Sequence, residues 1–271
     1  MKKKTKAYVL SQEKLAPSIY SLWLKTEIAR EAHAGQFVGV YPKNASTLLP
    51  RPISICEVSD DFSALRLVYR VAGKGTDEFS YLKEGDEVYI LGVLGNGYLF
   101  TNMFGEDLSR IGHNIVLMGG GIGIPPMLEL AKELNAHRIP CTAVLGYRNS
   151  DLFLSEEFKK YSELVIATED GSVGTKGNVI DAMNVNNISA DVIMACGPMP
   201  MLRGIKTYVT SKKAEGEDIR AYISLEERMA CGVGACLGCV TKTKNVDEHS
   251  HVNNARICTD GPVFDCEEVM I

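Results

Sequence analysis

Three cysteines stand within nine positions in "CGVGACLGC", residues 231–239, spaced by glycines and small apolar residues with no charge among them. Thiolates bind soft metals, and glycines let a backbone close around whatever the sulfurs hold, so the stretch is a candidate metal centre. Cys231, Cys236 and Cys239 follow C-x4-C-x2-C, the plant-type spacing of a two-iron, two-sulfur (2Fe-2S) cluster whose fourth thiolate comes from further along the chain. Two cysteines qualify as the fourth. Cys258 precedes the turn-forming "TDGP", which would hold it rigidly, whereas Cys266 lies in an acidic tail, so Cys258 is preferred and Cys266 stays the alternative. Four thiolates also suit a structural zinc ion, and His249 or His251 could replace a thiolate as in Rieske centres. Gly232, Gly234 and Gly238 weigh toward the cluster, because its sulfides accept hydrogen bonds from a closely wrapped backbone.

Other stretches carry anion chemistry. In "VLMGGGIGIPPM" a strand runs through glycines into a helix. Aligned as G-x-G-x-x-P, Gly121, Gly123 and Pro126 let a dinucleotide's pyrophosphate approach the backbone and meet the positive end of the helix dipole. In "MACGPMPML" a second strand ends at Cys196 and Gly197, at the edge where ligands of parallel sheets bind. Taken alone, Cys196 reads as a small buried apolar residue rather than a functional thiol, and its place at a strand's carboxyl end in the sheet of the glycine turn reverses that preference. "LPRPISI" brings Arg51 and Ser54, and "VYRVAGKGT" brings Arg70, Gly73, Gly75 and Thr76. Arginine forks and the free N–H groups of a glycine turn both bind phosphate oxygens, which points to a second phosphorylated cofactor.

The elements that must position these residues differ along the chain. Up to about residue 104, short apolar runs ("AYVL", "IYSLWL", "QFVGVYP", "ISICEV", "LRLVYRV", "DEVYILGVLG") recur between turns, as in a small antiparallel barrel. From about Arg110 strands alternate with helices, with further strands at "LVIATED" and "ADVIMACG", which predicts a parallel sheet. After Gly216 the chain is rich in cysteine and glycine and has too few apolar residues for a core of its own, so this tail is expected to need its metal.

Composition narrows the function. Of eight cysteines, five crowd the last forty-one residues, a pattern of metal binding rather than of a disulfide framework. A net charge of -5 argues against nucleic acid and anionic membranes as partners. No apolar stretch follows the lysines at 2, 3, 4 and 6, so neither a signal peptide nor a membrane span is expected, and the chain is expected to be cytoplasmic.

With R-x-x-S, G-x-G-x-x-P and C-G-P in this order, residues from about 5 to 215 resemble the ferredoxin reductase family. The tail, with "CGVGACLGC" and "CTDGPVFDCEEV", extends the resemblance to electron-transfer subunits of NAD-linked dihydroorotate dehydrogenases. The resemblance implies an FAD-binding barrel over 1–104, an NAD-binding α/β domain over 105–215 and a 2Fe-2S domain over 216–271. It implies FAD at Arg51, Pro52, Ile53 and Ser54, at Val68, Tyr69 and Arg70, and at Gly75 and Thr76, with Ser54 near the flavin's reactive nitrogen and Cys196 near the nicotinamide. Ile53 stands where many relatives carry a flavin-stacking tyrosine, which leaves Tyr69 as a candidate for stacking. The implied partner is an FMN-containing catalytic subunit, in a heterotetramer with two of each chain. Ala230, Val233, Leu237 and Val240 would supply an apolar docking surface or cover the cluster. A same-fold rival is the subunit of a ferredoxin:NADP transhydrogenase, a sulfide dehydrogenase or a hydrogenase. The transhydrogenase is expected to place an aspartate among its cluster ligands, whereas here all four can be cysteine. A zinc-stabilised binding module is the rival from another class. The choice of NAD over NADP rests on the resemblance: Arg138 and Arg148 would favour a 2′-phosphate, while Glu169 and Asp170 would disfavour one.

Overall fold

A computed structural model describes residues 2–44, 46–98, 113–246 and 251–271. Six strands, β1 (Lys3–Ala16), β2 (Ile19–Lys25), β3 (Phe37–Tyr41), β4 (Arg51–Val58), β5 (Ala64–Arg70) and β6 (Glu87–Leu94), close an antiparallel barrel in the order β1-β2-β5-β4-β3-β6. They are the six apolar runs of the sequence. "AGKGT", expected as a turn, begins a short helix, α1 (Lys74–Phe79), in which the Thr76 hydroxyl accepts from the N–H groups of Ala72 and Gly73. The expected boundary at 104/105 lies outside the described residues.

The second layer is a seven-stranded sheet. Its parallel strands are β7 (Ile115–Gly120), β8 (Cys141–Tyr147), β9 (Glu163–Thr168), β10 (Thr175–Lys176), β11 (Val192–Cys196) and β12 (Arg220–Ser224), in the order β10-β9-β8-β7-β11-β12. Helix α2 (Ile124–Ala136) follows β7 and packs between the sheet and β4; α3 (Ser155–Phe158), α4 (Val179–Val185) and α5 (Met199–Ala214) follow β8, β10 and β11. The tail beyond residue 215 is woven into this sheet. It supplies β12, forms a small hairpin from β13 (Val240–Lys242) and β14 (Asn254–Arg256), and returns as β15 (Val263–Asp265), antiparallel to β12. Its apolar residues Ile257, Phe264 and Val269 join the core of the parallel sheet, so the tail borrows a core it could not build.

Barrel and sheet meet along β4, β5 and α2. Leu65, Leu67 and Tyr69 point into the barrel while Val68 packs into the core shared with α2, so β5 is buried on both faces. Polar groups pin the same seam. Glu129 and Glu133 on α2 accept from the N–H groups of Val58 and Ala34 at 2.7 and 2.8 Å, and Arg66 on β5 pairs with Glu157 on α3. Burial pushes both α2 carboxyls up to about 7 against the pull of those N–H donors, and the charge of Glu133 adds to the rise at Glu129.

Candidate functional site

The cysteine loop wraps with Gly232, Gly234 and Leu237 in left-handed geometry, a backbone shape that can aim neighbouring N–H groups at one anion. The N–H of Val233 donates to Cys231 Sγ at 3.4 Å. Burial works to raise the Cys231 thiol, but the N–H groups of Val233, Cys236 and Ala235, with the Cys236 thiol, outweigh it and bring it down from 9.0 to about 6. Cys258 is pushed up to about 11, by burial first and then by its hydrogen bond with Cys239 and the charge of that neighbour. The thiols therefore form two pairs, Cys231 with Cys236 and Cys239 with Cys258, and Cys231 is close enough to act on Cys258. Four thiols gathered in two hydrogen-bonded pairs beside the loop's N–H donors suit a centre held by cysteine sulfur.

Cys266 stands apart. It is fully buried in the core of the sheet and its N–H donates to Ala221 O. The "TDGP" turn is fastened by Asp260, which accepts from Arg256 Nε and Nη2 at 3.0 and 2.9 Å and from the Arg256 N–H at 2.7 Å. His249 lies outside the described residues, and His251 is exposed. Of the expected apolar surface, Leu237 is 62% exposed, Val233 and Val240 are exposed less, and Ala230 is half-buried.

The loop is docked on the barrel. A Cβ at Gly232 would lie 3.1 Å from Leu94 Cδ1 on β6. Phe37 on β3 pairs with Leu94 on one side and with Ser54 on the other. The turn after Cys258 reaches the same barrel edge, where the Asn96 N–H donates to Gly261 O at 2.7 Å. The thiols thus sit near the strand that carries R-x-x-S.

At the barrel's other phosphate signal, Arg51 and Gly75 are in contact. A Cβ at Gly75 would lie 2.6 Å from Arg51 Nε, so only glycine leaves that guanidinium its place. The juxtaposed arginine, glycine turn and Thr76 make a cradle that fits a flavin's phosphates. Pro52 is exposed and Ile53 and Ser54 are half-buried beside it. Tyr69 corrects the expectation made for it. Its ring is 2% exposed inside the barrel, stacked on Tyr20 at 5.9 Å, set edge-on to Phe79, and its hydroxyl pairs with Gln12. The alternation of β5 turns that ring inward, so it offers no face for stacking on a cofactor.

Between barrel and sheet lies a cleft of about 630 Å³ at the carboxyl ends of the parallel strands. Gly121 and Gly123 form the turn between β7 and α2, and Pro126 is buried in the first turn of that helix. A side chain at Gly123 would run into the carbonyl of Cys196, so the glycine turn and the C-G-P strand interlock. Gly197 and Pro198 line the cleft, whereas Cys196 itself is 1% exposed behind them. Burial, reinforced by the charge of Glu226, pushes its thiol well above the usual range, so it stays protonated. Arg148, Asp151 and Glu169 line the cleft's other flank. Sequence reading missed Glu226 on the wall and Tyr98, whose hydroxyl donates to Ala195 O at 2.9 Å from the barrel side. The position of Glu226 just past a strand's carboxyl end was the available signal.

A thiol-bearing lobe and a glycine-turn sheet behind a phosphate-cradling barrel define a ferredoxin-reductase-like oxidoreductase chain. Residues 117–207 match the oxidoreductase NAD-binding domain, and residues 226–270 match the iron-sulfur cluster binding domain of dihydroorotate dehydrogenase B. Two relatives are dihydroorotate dehydrogenase B (NAD(+)) electron transfer subunits. That of Streptococcus mutans is 41% identical over 97% of this chain and 96% of its own, and that of a Geobacillus species is 39% identical over the whole of both. The chain belongs to this family of electron transfer subunits. Among solved structures, a chain of an NADH-dependent reduced ferredoxin-NADP oxidoreductase aligns with a TM-score of 0.82 and 29% identity, covering 100% of this chain and 91% of that one. A ferredoxin NADP+ reductase from Neisseria gonorrhoeae, at 16% identity and a TM-score of 0.64, shares the fold over 77% of this chain and 91% of its own. Among the described residues no helix is long and apolar enough to cross a membrane.

Proposed function

We propose that this chain takes electrons from an FMN-containing catalytic subunit that oxidises dihydroorotate to orotate and delivers them to NAD+ in de novo pyrimidine (UMP) biosynthesis. The assembly is a cytoplasmic heterotetramer of two chains of each kind. When bound, FAD converts between the single electrons of a 2Fe-2S cluster and the hydride that NAD+ accepts. Arg51, Gly75 and Thr76 cradle the flavin phosphates, with Pro52, Ile53, Ser54, Val68 and Tyr69 along the two strands that carry them. Cys231, Cys236, Cys239 and Cys258 hold the cluster. Gly121, Gly123, Pro126 and Gly197 seat the dinucleotide, and Cys196 backs the nicotinamide as a buried, neutral thiol. The division into a barrel (1–104), a dinucleotide domain (105–215) and a cluster lobe (216–271) follows this chemistry, with β12 and β15 of the lobe anchoring it to the sheet.

One observation carries the reading: the thiol loop packs on β6, whose neighbour β3 pairs with β4 at Ser54. The partly exposed Val233, Leu237 and Val240 beside Cys236 give the catalytic subunit an apolar surface next to the cluster. Co-purification with a tagged FMN-containing dihydroorotate dehydrogenase from the same source tests it. NAD-dependent orotate formation by the pair is the expected result. Failure by folded, cofactor-loaded chain would overturn the assignment and favour the ferredoxin-linked reading that the 0.82 structural likeness raises.

A further inference from the structure

We infer that Asn96 and Tyr98, on the short strap that leaves β6, are positioning residues: Asn96 holds the turn behind Cys258 and Tyr98 holds the strand end at Cys196, so that both electron steps keep their geometry about the flavin. The inference rests on the reading of this chain as a flavin and cluster relay to NAD+. Sequence marks the strap only as a glycine turn, "LGNGY". In the structure it touches all three parts of the molecule. Leu94 ends β6 against the thiol loop, where a Cβ at Gly232 would lie 3.1 Å from its Cδ1. A Cβ at Gly95 would stand 3.0 Å from Phe37, the β3 residue that pairs with Ser54, and 2.5 Å from Pro262 in the turn after Cys258. Asn96 grips that turn twice. Its N–H donates to Gly261 O at 2.7 Å, and its side-chain amide donates to Asp260 O at 3.1 Å.

Two residues on, the strap reaches the dinucleotide sheet. Tyr98 is 1% exposed, and its hydroxyl donates to Ala195 O, one residue before Cys196, whose carbonyl abuts Gly123. Burial first, and then the neighbouring Cys196, push that hydroxyl well above the usual phenol range, so it stays a donor. The barrel holds the ring from behind. Only glycine at position 35 leaves room for it, since a Cβ there would stand 2.5 Å from Tyr98 Cδ2. The Tyr98 N–H donates to Ala34 O, and the Ala34 N–H donates to Glu133 on α2, both at 2.8 Å. Gly97, at a φ of 67°, passes so near Ala34 that a Cβ would lie 2.4 Å from its carbonyl oxygen. Hydrogen bonds thus run from α2 through the barrel to the end of β11. Hydride transfer needs the reacting atoms in contact, and a displacement of about 1 Å can cost about a hundredfold. A single electron crosses a wider gap and is less sensitive to such a shift. The two ends of the strap should therefore fail differently, Tyr98 at the hydride step and Asn96 at the cluster step.

Three measurements on oxidised holoprotein test this: rapid mixing with NADH for the hydride step, flash reduction with deazaflavin for flavin-to-cluster transfer, and hydrogen–deuterium exchange for the two anchored segments. Tyr98→Phe should slow flavin reduction by NADH about tenfold and weaken NAD+ binding about threefold, with faster exchange across residues 192–197 and flash transfer unchanged. Asn96→Ala should slow flash transfer about threefold and raise exchange across residues 257–262, with flavin reduction within about twofold of the parent and iron per chain unchanged. Gly97→Ala, which displaces the middle of the strap, should disturb both steps and both segments. If it does not fold, the two milder variants decide. Variants that melt earlier yet keep both steps within about twofold of the parent would make the strap a structural connection alone and overturn the inference. So would a Tyr98→Phe protein slowed in flash transfer and not in flavin reduction. Parent holoprotein whose flavin NADH leaves oxidised would instead overturn the relay reading itself.

Discussion

The thiol loop and the dinucleotide cleft solve opposite problems. Three of the four clustered cysteines come from nine consecutive residues, and the loop is shaped by local N–H donors and left-handed residues. The cleft is assembled from segments scattered between Ala16 and Glu226, brought together by sheet order and by a barrel packed against it. A local site survives on spacing and needs only an anchor, which β12 and β15 supply. A distributed site depends on every element that sets its walls, so distant substitutions should reach it.

Replacing a cluster thiol should have the largest effect. Cys239→Ser or Cys258→Ser is expected to cut iron and acid-labile sulfide per chain by more than about tenfold, while flavin content persists. Cys266→Ser should keep its iron and lose about 1–2 kcal/mol of stability for a hydroxyl buried in the sheet core, seen in denaturant unfolding. If Cys266→Ser empties the site and Cys258→Ser does not, the pairing of thiols described above is wrong.

Next in size is the barrel cradle. Arg51→Gln should weaken FAD by about tenfold or more, measured by flavin released on dilution. Gly75→Ala should act in the same direction, because the added methyl takes the place of Arg51 Nε. Iron content should stay unchanged in both, which separates the cradle from the thiol loop.

Two smaller effects probe the seam that shapes the cleft. Tyr98→Phe removes the hydroxyl that donates to the buried Ala195 carbonyl and should cost about 1–2 kcal/mol, with weaker NADH binding measured in the same samples. The Glu129 and Glu133 carboxyls titrate near 7 in the fold and at about 4.5 outside it. The folded chain therefore holds protons that the unfolded chain releases between those values, so these groups make stability fall as pH rises from 4.5 to about 7 and add nothing further above it. Glu129→Gln keeps an acceptor for the Val58 N–H and removes one charge. It should melt about 3 °C above the parent at pH 8, with the difference gone at pH 5.

Local chemistry was the legible part of this molecule. C-x4-C-x2-C, the glycine turn and the six apolar runs of the barrel each report a neighbourhood that spans few residues, and the glycine turn and the six runs map onto the elements expected from them. What depended on long-range packing was hidden. Tyr69 looked available because β5 is apolar on both faces, and only the position of α2 shows which face is the barrel's interior. The turn after Cys258, which Asp260 fastens, already set it apart from Cys266 in the sequence, but the sheet edge that takes β15 and buries Cys266 beside it was not legible. The tail looked like a lobe on its own because its contribution to the parallel sheet is two short strands, Arg220–Ser224 and Val263–Asp265, with few residues to announce them.

Anaerobically purified chain treated with NADH, and followed by iron and sulfide analysis and by electron paramagnetic resonance, reaches the central claim most directly. The account predicts two irons and two sulfides per chain and a reduced-cluster signal that NADH elicits as dithionite does. Zinc in place of iron, or a cluster that dithionite reduces while NADH leaves it untouched in flavin-loaded protein, would contradict it.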